Sequence, residues 1–160
     1  MKFSVHQASL LGDRKYNQAR VAFAYSQHAL ADGMGGHAHG ELAASIAIET
    51  FITLFTEHGN QNFADPQDFI TETMQAAHQR IMQLPNNKET GFPGTTCVAA
   101  LIQDGVLYSA YAGDSRLYMI RNQLVVQKTC DHSMVQQWAD WGVISREEAR
   151  THPRRNEITN

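Results

Sequence analysis

The densest concentration of residues suited to chemistry is Asp32-Gly33-Met34-Gly35-Gly36-His37, set immediately before the most strongly periodic helical stretch of the chain. Three glycines in four positions let the backbone turn sharply and bring its own carbonyls or amides close to a ligand. An acid at the head of such a turn suits a hard divalent cation, with Asp32 supplying anionic oxygen and the Gly33 carbonyl a second oxygen. A histidine at position 37, with an ordinary pKa of about 6.5, can then donate a proton to a departing alkoxide.

Other readings compete for the same residues. The bland one is a glycine-rich connection with a capping aspartate. Gly33-x-Gly35-x-x-Ala38 also matches a loose dinucleotide-binding pattern. Against that pattern stand the short strand before it, the like charge Asp32 would present to a pyrophosphate, and β-rich downstream sequence without βαβ units. His37 and His39 diverge by about 200° if both are helical, so they do not converge on one ion, and His39 reads as a surface residue. Asp131-His132-Ser133 contains the residue types of a catalytic triad, but triad members meet through the fold and not as sequence neighbours, so it reads as a helix N-cap. A second cluster, Gly113-Asp114-Ser115-Arg116, joins two β-rich runs; a tight turn there puts Asp114 at a sheet end, facing a metal site.

The elements that must position these groups follow from periodicity. Residues 3–8 and 20–26 suit short strands. From Ala38 to about Glu57, Leu42, Ala43, Ile46, Ala47, Thr50, Phe51 and Leu54 recur at spacings of three and four, one buried face of a helix. Asp65 and Pro66 open a second helix whose inward stripe is Phe69, Ile70, Thr73, Met74, Ala77, Ile81 and Leu84. The period then changes: TTCVAALIQ, VLYSAYA, RLYMIR and LVVQKT read as an antiparallel meander. A short helix over HSMVQQWADWGV ends at Gly142, and Ser145-Arg146-Glu147-Glu148 fits a capping box opening another. No closing element is evident before Asn160. Helices over antiparallel strands predict an α+β layered fold.

With 160 residues, 42% of them apolar, the chain suits one domain or most of one. A net charge of -3 and a pI near 6.2 offer no basic field for nucleic acid or anionic lipid. The segment MKFSVHQASL lacks the apolar core of a signal peptide, and no run approaches the roughly 18 apolar residues that span a bilayer, so a cytoplasmic location without membrane partners is expected. Cys97 and Cys130 form no metal-binding spacing and read as buried hydrophobes.

Taken in order, DGMGGH, the helix beginning HGELAAS, GTTCVAALI, YAGDSRLYMIR, DHSMVQQWADWGVISREEA and HPRRNEIT resemble the type 2C (PPM-family) metal-dependent protein serine/threonine phosphatases, through nearly the whole chain. The resemblance implies a four-layer α-β-β-α sandwich with the metal site at one end of the paired sheets. It implies that Asp32 bridges two Mn²⁺ or Mg²⁺ ions, that Gly33 ligates through its carbonyl, and that Asp114 belongs to a further, weaker metal position. By the same resemblance His37 is the general acid and Arg14 holds the substrate phosphate, while Thr95 and Thr96 support the sheet. The implied reaction is direct hydrolysis of phosphoserine or phosphothreonine in a phosphoprotein by a metal-bridging water, in opposition to a serine/threonine kinase.

Three departures qualify that expectation. Arg14-Lys15-Tyr16-Asn17-Gln18-Ala19 carries Ala19 where the family pattern has an aspartate that steadies metal-bound water from outside; losing such support typically costs about 10- to 100-fold in metal affinity or activity. The segment between Tyr25 and Asp32 is shorter than the family's strand, which predicts a stub or a rebuilt sheet. The family's two later metal-binding aspartates would follow the HPxRNxIT segment, so the expectation is an incomplete domain, and the alternative function is a non-catalytic module that binds a phosphoprotein or kinase.

Overall fold

A computed structural model of the chain describes residues 4–10, 17–24, 27–34, 38–59, 61–85 and 93–159. The chain divides into two compact units, Met1–Ala110 and Tyr111–Asn160.

In the first unit, strand β1 (Ala19–Ala24) pairs antiparallel with β2 (Gln27–Gly33). Strand β2 is laddered along its whole length on its other side to β3 (Thr95–Gln103), from Gln27 opposite Leu101 to Gly33 opposite Thr95. The expected stub before Asp32 is therefore a seven-residue strand. Its run of Gln, His and Ala has modest β-propensity, but two flanking strands satisfy its backbone, and pairing overrides local preference. Strand β4 (Val106–Ala112) completes the sheet in the order β1-β2-β3-β4. Asp104 and Gly105 both have positive φ (52° and 79°), the conformation of the tight turn that joins β3 to β4. The strand expected over residues 3–8 does not form: residues 4–10 have no regular secondary structure and residue 3 lies outside the described residues.

Helices α1 (Ala38–His58) and α2 (Pro66–Met82) build the core with this sheet. The buried face of α1 is Ala43, Ala44, Ala47, Ile48, Phe51 and Phe55, a rotation from the face expected: Leu42 is 44% exposed and Phe55 replaces Leu54. The helix is apolar on more than one side, so spacing alone admits both faces. Alanines occupy the buried face near its start and meet the equally small Ala22, Ala29 and Ala31 of the sheet, which lets helix and strands approach closely. Helix α2 starts and faces the core as expected but ends at Met82, so that Leu84 meets the core from beyond it. The Asp65 side chain accepts from the Gln67 and Asp68 amides, Pro66 occupies the first turn, and Ile70, Thr73, Ala77 and Ile81 are buried. The Arg80 guanidinium donates to the Thr50 hydroxyl at 2.7 Å, tying α2 to α1.

The second unit corrects the single four-strand meander. Strands β5 (Tyr118–Arg121) and β6 (Leu124–Lys128) form a separate two-stranded ribbon, turning at Asn122 and Gln123 with φ of 51° and 63°. Helix α3 (Met134–Asp140) is capped by Ser133 and followed by Gly142 at φ 72°; α4 (Arg146–Thr151) carries the expected capping box between Ser145 and Glu148. Beyond α4 the chain pairs back onto the start of α3, which the sequence did not signal: Ile158 bridges Ser133, the Met134 amide donates to the Glu157 carbonyl at 2.9 Å, and the Thr159 amide donates to the His132 carbonyl at 3.1 Å. Arg154 pairs with Glu157 and lies 5.1 Å from the Trp138 ring centroid. Cys97 is buried as expected, and burial pushes its thiol up to about 12, whereas Cys130 is exposed.

Candidate metal centre

Alternation along β2 decides where its carboxylate points. Gln27, Ala29 and Ala31 are buried, with both alanines in the core beneath the helices, so His28, Leu30 and Asp32 occupy the opposite face of the sheet. Asp32 is exposed at the end of that row. Its amide donates to the Thr96 hydroxyl at 3.3 Å, the Gly33 amide to the Gln18 carbonyl at 3.4 Å, and the Met34 amide to the Gly94 carbonyl at 3.0 Å. Segments on both flanks thus tie down the end of β2, and Thr96 supports it as expected.

The glycines are required by close approach. A Cβ at Gly33 would overlap the Gly40 carbonyl, and one at Gly40 would overlap the Met34 carbonyl, because the chain leaving β2 presses against the first turn of α1. Sequence reasoning passed over Gly40. The signal was a glycine inside a helix, which costs about 1 kcal/mol relative to alanine and calls for a packing reason. Also missed was Arg20, whose guanidinium donates to the Asn17 and Ala19 carbonyls at 3.1 and 3.0 Å and to Glu41 Oε1 at 2.5 Å, fastening the start of β1 to α1. Asn17 anchors the same corner: its Oδ1 accepts from the Ala19 amide at 3.1 Å and its Nδ2 donates to the Ser9 hydroxyl at 2.7 Å.

Ala19 stands directly opposite Asp32 in the β1–β2 ladder. Such partners project to the same face with Cβ atoms about 4.5–5.5 Å apart. Position 19 is therefore where a second carboxylate would reach an ion held by Asp32, and a methyl group stands there instead.

Asp114 belongs to the second unit and is exposed. Its segment does not close a hairpin: β4 ends at Ala112 and β5 starts a different sheet at Tyr118. Gly113, at φ 103°, makes the turn out of β4. It is pinned by His132, whose Nδ1 accepts from the Gly113 amide at 3.4 Å and whose amide donates to the Gly113 carbonyl at 3.0 Å. Asp131 takes Arg116 bidentately at 2.7 and 2.5 Å, which holds the guanidinium still more firmly protonated. Asp131, His132 and Ser133 thus serve as scaffold and cap, as expected, and not as a triad.

His37 and Arg14, the expected general acid and phosphate-binding arginine, lie outside the described residues, as do Gly35 and Gly36. His39 is half-buried in the first turn of α1. For a metal, the donors at the end of β2 are a carboxylate and backbone carbonyls, hard oxygens suited in kind to Mn²⁺ or Mg²⁺. They form part of a ligand set only: among the described residues no three His, Cys, Asp or Glu side chains gather as for one ion. The antiparallel sheet has no βαβ unit and disposes of the dinucleotide alternative. No helix among the described residues is long and apolar enough to cross a membrane.

The family profile described as protein phosphatase 2C matches residues 9–158. A putative protein phosphatase 2C-type protein of Streptococcus pyogenes is 35% identical over 131 residues, 81% of this chain and 53% of the relative. The serine/threonine phosphatase stp of Listeria monocytogenes is 33% identical over 129 residues, 79% of this chain and 51% of the relative. The chain thus spans about half the length of the curated relatives it matches. Among solved structures, the serine/threonine phosphatase PstP/Ppp of Mycobacterium tuberculosis aligns with a TM-score of 0.81 and 32% identity over 96% of this chain and 64% of that one. The catalytic domain of PstP in complex with two manganese ions aligns with a TM-score of 0.75 and 32% identity, over 85% of this chain and 58% of that one.

Proposed function

The chain belongs to the protein phosphatase 2C family, and we propose that it serves a metal-dependent phosphatase activity on phosphoserine and phosphothreonine in proteins. The observation that carries this reading is the end of β2, where Asp32 projects from the sheet face away from the helices and Gly33 is held against Gly40. Asp32 and the Gly33 carbonyl would hold divalent metal, Mn²⁺ or Mg²⁺, with Asp114 contributing to a further position. The cations would lower the pKa of a water and neutralise charge on the phosphoryl oxygens. The chain's own groups do the rest. Arg14 orients the phosphoryl group through paired N–H donors. As water adds to phosphorus and the ester P–O bond breaks, His37 delivers a proton to the departing serine or threonine oxygen. A serine/threonine kinase that makes such phosphoproteins is the natural counterpart of this activity.

Ala19 opposite Asp32 favours a second reading, a phosphatase fold that binds a phosphoprotein without hydrolysing it. One experiment separates the two: incubate the chain with a phosphothreonine peptide and Mn²⁺, and measure phosphate release and peptide binding, with Asp32→Asn alongside. Phosphate release that vanishes in Asp32→Asn supports the phosphatase. Metal-dependent binding without release supports the second reading. Neither binding nor release would sink both.

A further inference from the structure

The second unit contains an open cavity of about 670 Å³ between the β5–β6 ribbon and the α3–α4 pair. Four cationic side chains line it: Lys128, Arg146, Arg150 and Arg155. Arg116 also lines it but is neutralised by its bidentate pair with Asp131. The opposing carboxylates are Asp114 and Asp140, the latter already accepting from the Gln136 side chain at 2.9 Å. The lining therefore holds a surplus of two positive charges in a chain whose net charge is -3. Among the described residues, Lys128, Arg146, Arg150 and Arg155 have no acidic partner. Arg155 donates to the His152 carbonyl at 3.4 Å, but among the described residues no internal bond accounts for Arg146 or Arg150, and the cavity has room for several side chains of a polypeptide.

We propose that this cavity docks an acidic stretch of the protein substrate, with Arg146 and Arg150 of α4 as its main contacts and Lys128 on the opposite wall. Guanidinium forks suit carboxylates bidentately, and a cationic lining in a chain of net negative charge favours an acidic peptide here. Naming the occupant a substrate rests on the phosphatase reading above. The docking itself needs no metal, so it fails or succeeds independently of that reading.

The test is fluorescence anisotropy of the full chain in EDTA at low salt, with a labelled peptide carrying a run of glutamates and its glutamine counterpart. The glutamate peptide is expected to bind about ten-fold more tightly than the glutamine peptide, and Arg146→Gln/Arg150→Gln to weaken it roughly five-fold, as two partly exposed charge pairs would. Lys128→Gln, on the ribbon, gives a smaller loss and keeps the test valid should the double variant unfold. Arg121→Gln, exposed but outside the cavity, should leave binding unchanged. Equal binding by wild type and the double variant, or an equal loss with Arg121→Gln, overturns the proposal. So does displacement of the peptide by inorganic phosphate below the peptide's own Kd, which would reassign the cavity to a small anion. A negative result here leaves Mn²⁺-dependent phosphate release untouched, and the absence of release leaves peptide docking untouched.

Discussion

What Asp32 is worth to a dication depends on the side chain across the ladder from it. The register sets Ala19 there, on the same face and at cross-strand distance. Replacing Ala19 with Asp should therefore raise Mn²⁺ affinity by about 10-fold or more, the size of effect that supporting carboxylates have on metal sites, as read by isothermal titration calorimetry. A null result would mean that position 19 does not face the ion. Asp32 was legible as a candidate because an acid before closely spaced glycines stands out in sequence. The Ala19–Asp32 juxtaposition was not, because a one-residue change of register would have turned the pair to opposite faces, and register is fixed by pairing with β3 as much as by either strand alone. Gly40 and Arg20 escaped for a related reason: Gly40 meets the Met34 carbonyl, and Arg20 the Glu41 carboxylate 21 residues on, only because the fold brings them together.

The elements show where periodicity suffices and where it fails. Helix α2 was readable in its start and its buried face because Asp65 and Pro66 mark the one and a single apolar stripe the other, while its end at Met82 falls before Leu84, the last residue of the expected stripe. Helix α1 was readable as a helix but not in its orientation, since the small residues that seat it against the sheet carry less hydrophobic signal than the leucine left outside. Strand β2 was underestimated because its alanines and histidine have little strand character of their own. The junction between β2 and α1 is a packed crossing, so Gly40→Ala should destabilise the fold by about 1–3 kcal/mol, the usual cost of forcing atoms into occupied space, in contrast to the gain expected for Gly→Ala in an open helix. Urea unfolding measures it. In the second unit, bonds from the Ser145 backbone and side chain hold the Glu148 carboxyl below its ordinary value. A depressed folded-state pKa contributes stability above the unfolded value, about 4.3, and loses it as pH falls through the folded value. Amide exchange in α4 should therefore rise as pH drops below about 4 once intrinsic rates are corrected, and Glu148→Gln should remove most of that dependence.

At the scale of the whole molecule, the α+β class follows from two amphipathic helices and a change of period to β-rich runs, and the matches to solved phosphatases bear it out. What the linear sequence did not disclose is that the apparent meander divides into two strands of the helix-covered sheet, β3 and β4, and a separate ribbon, β5 and β6. Adjacent strands with tight turns look alike whether or not they share a sheet, and the break falls at Gly113, where φ is 103°. The proposed activity stands or falls with Asp32 as the anchor of a divalent metal site. Titrating Mn²⁺ into the chain and into Asp32→Asn by isothermal titration calorimetry, with circular dichroism to confirm both are folded, tests it most directly. Saturable binding by the chain, abolished in Asp32→Asn, is the expected result. Binding of unchanged strength in the folded variant would contradict it.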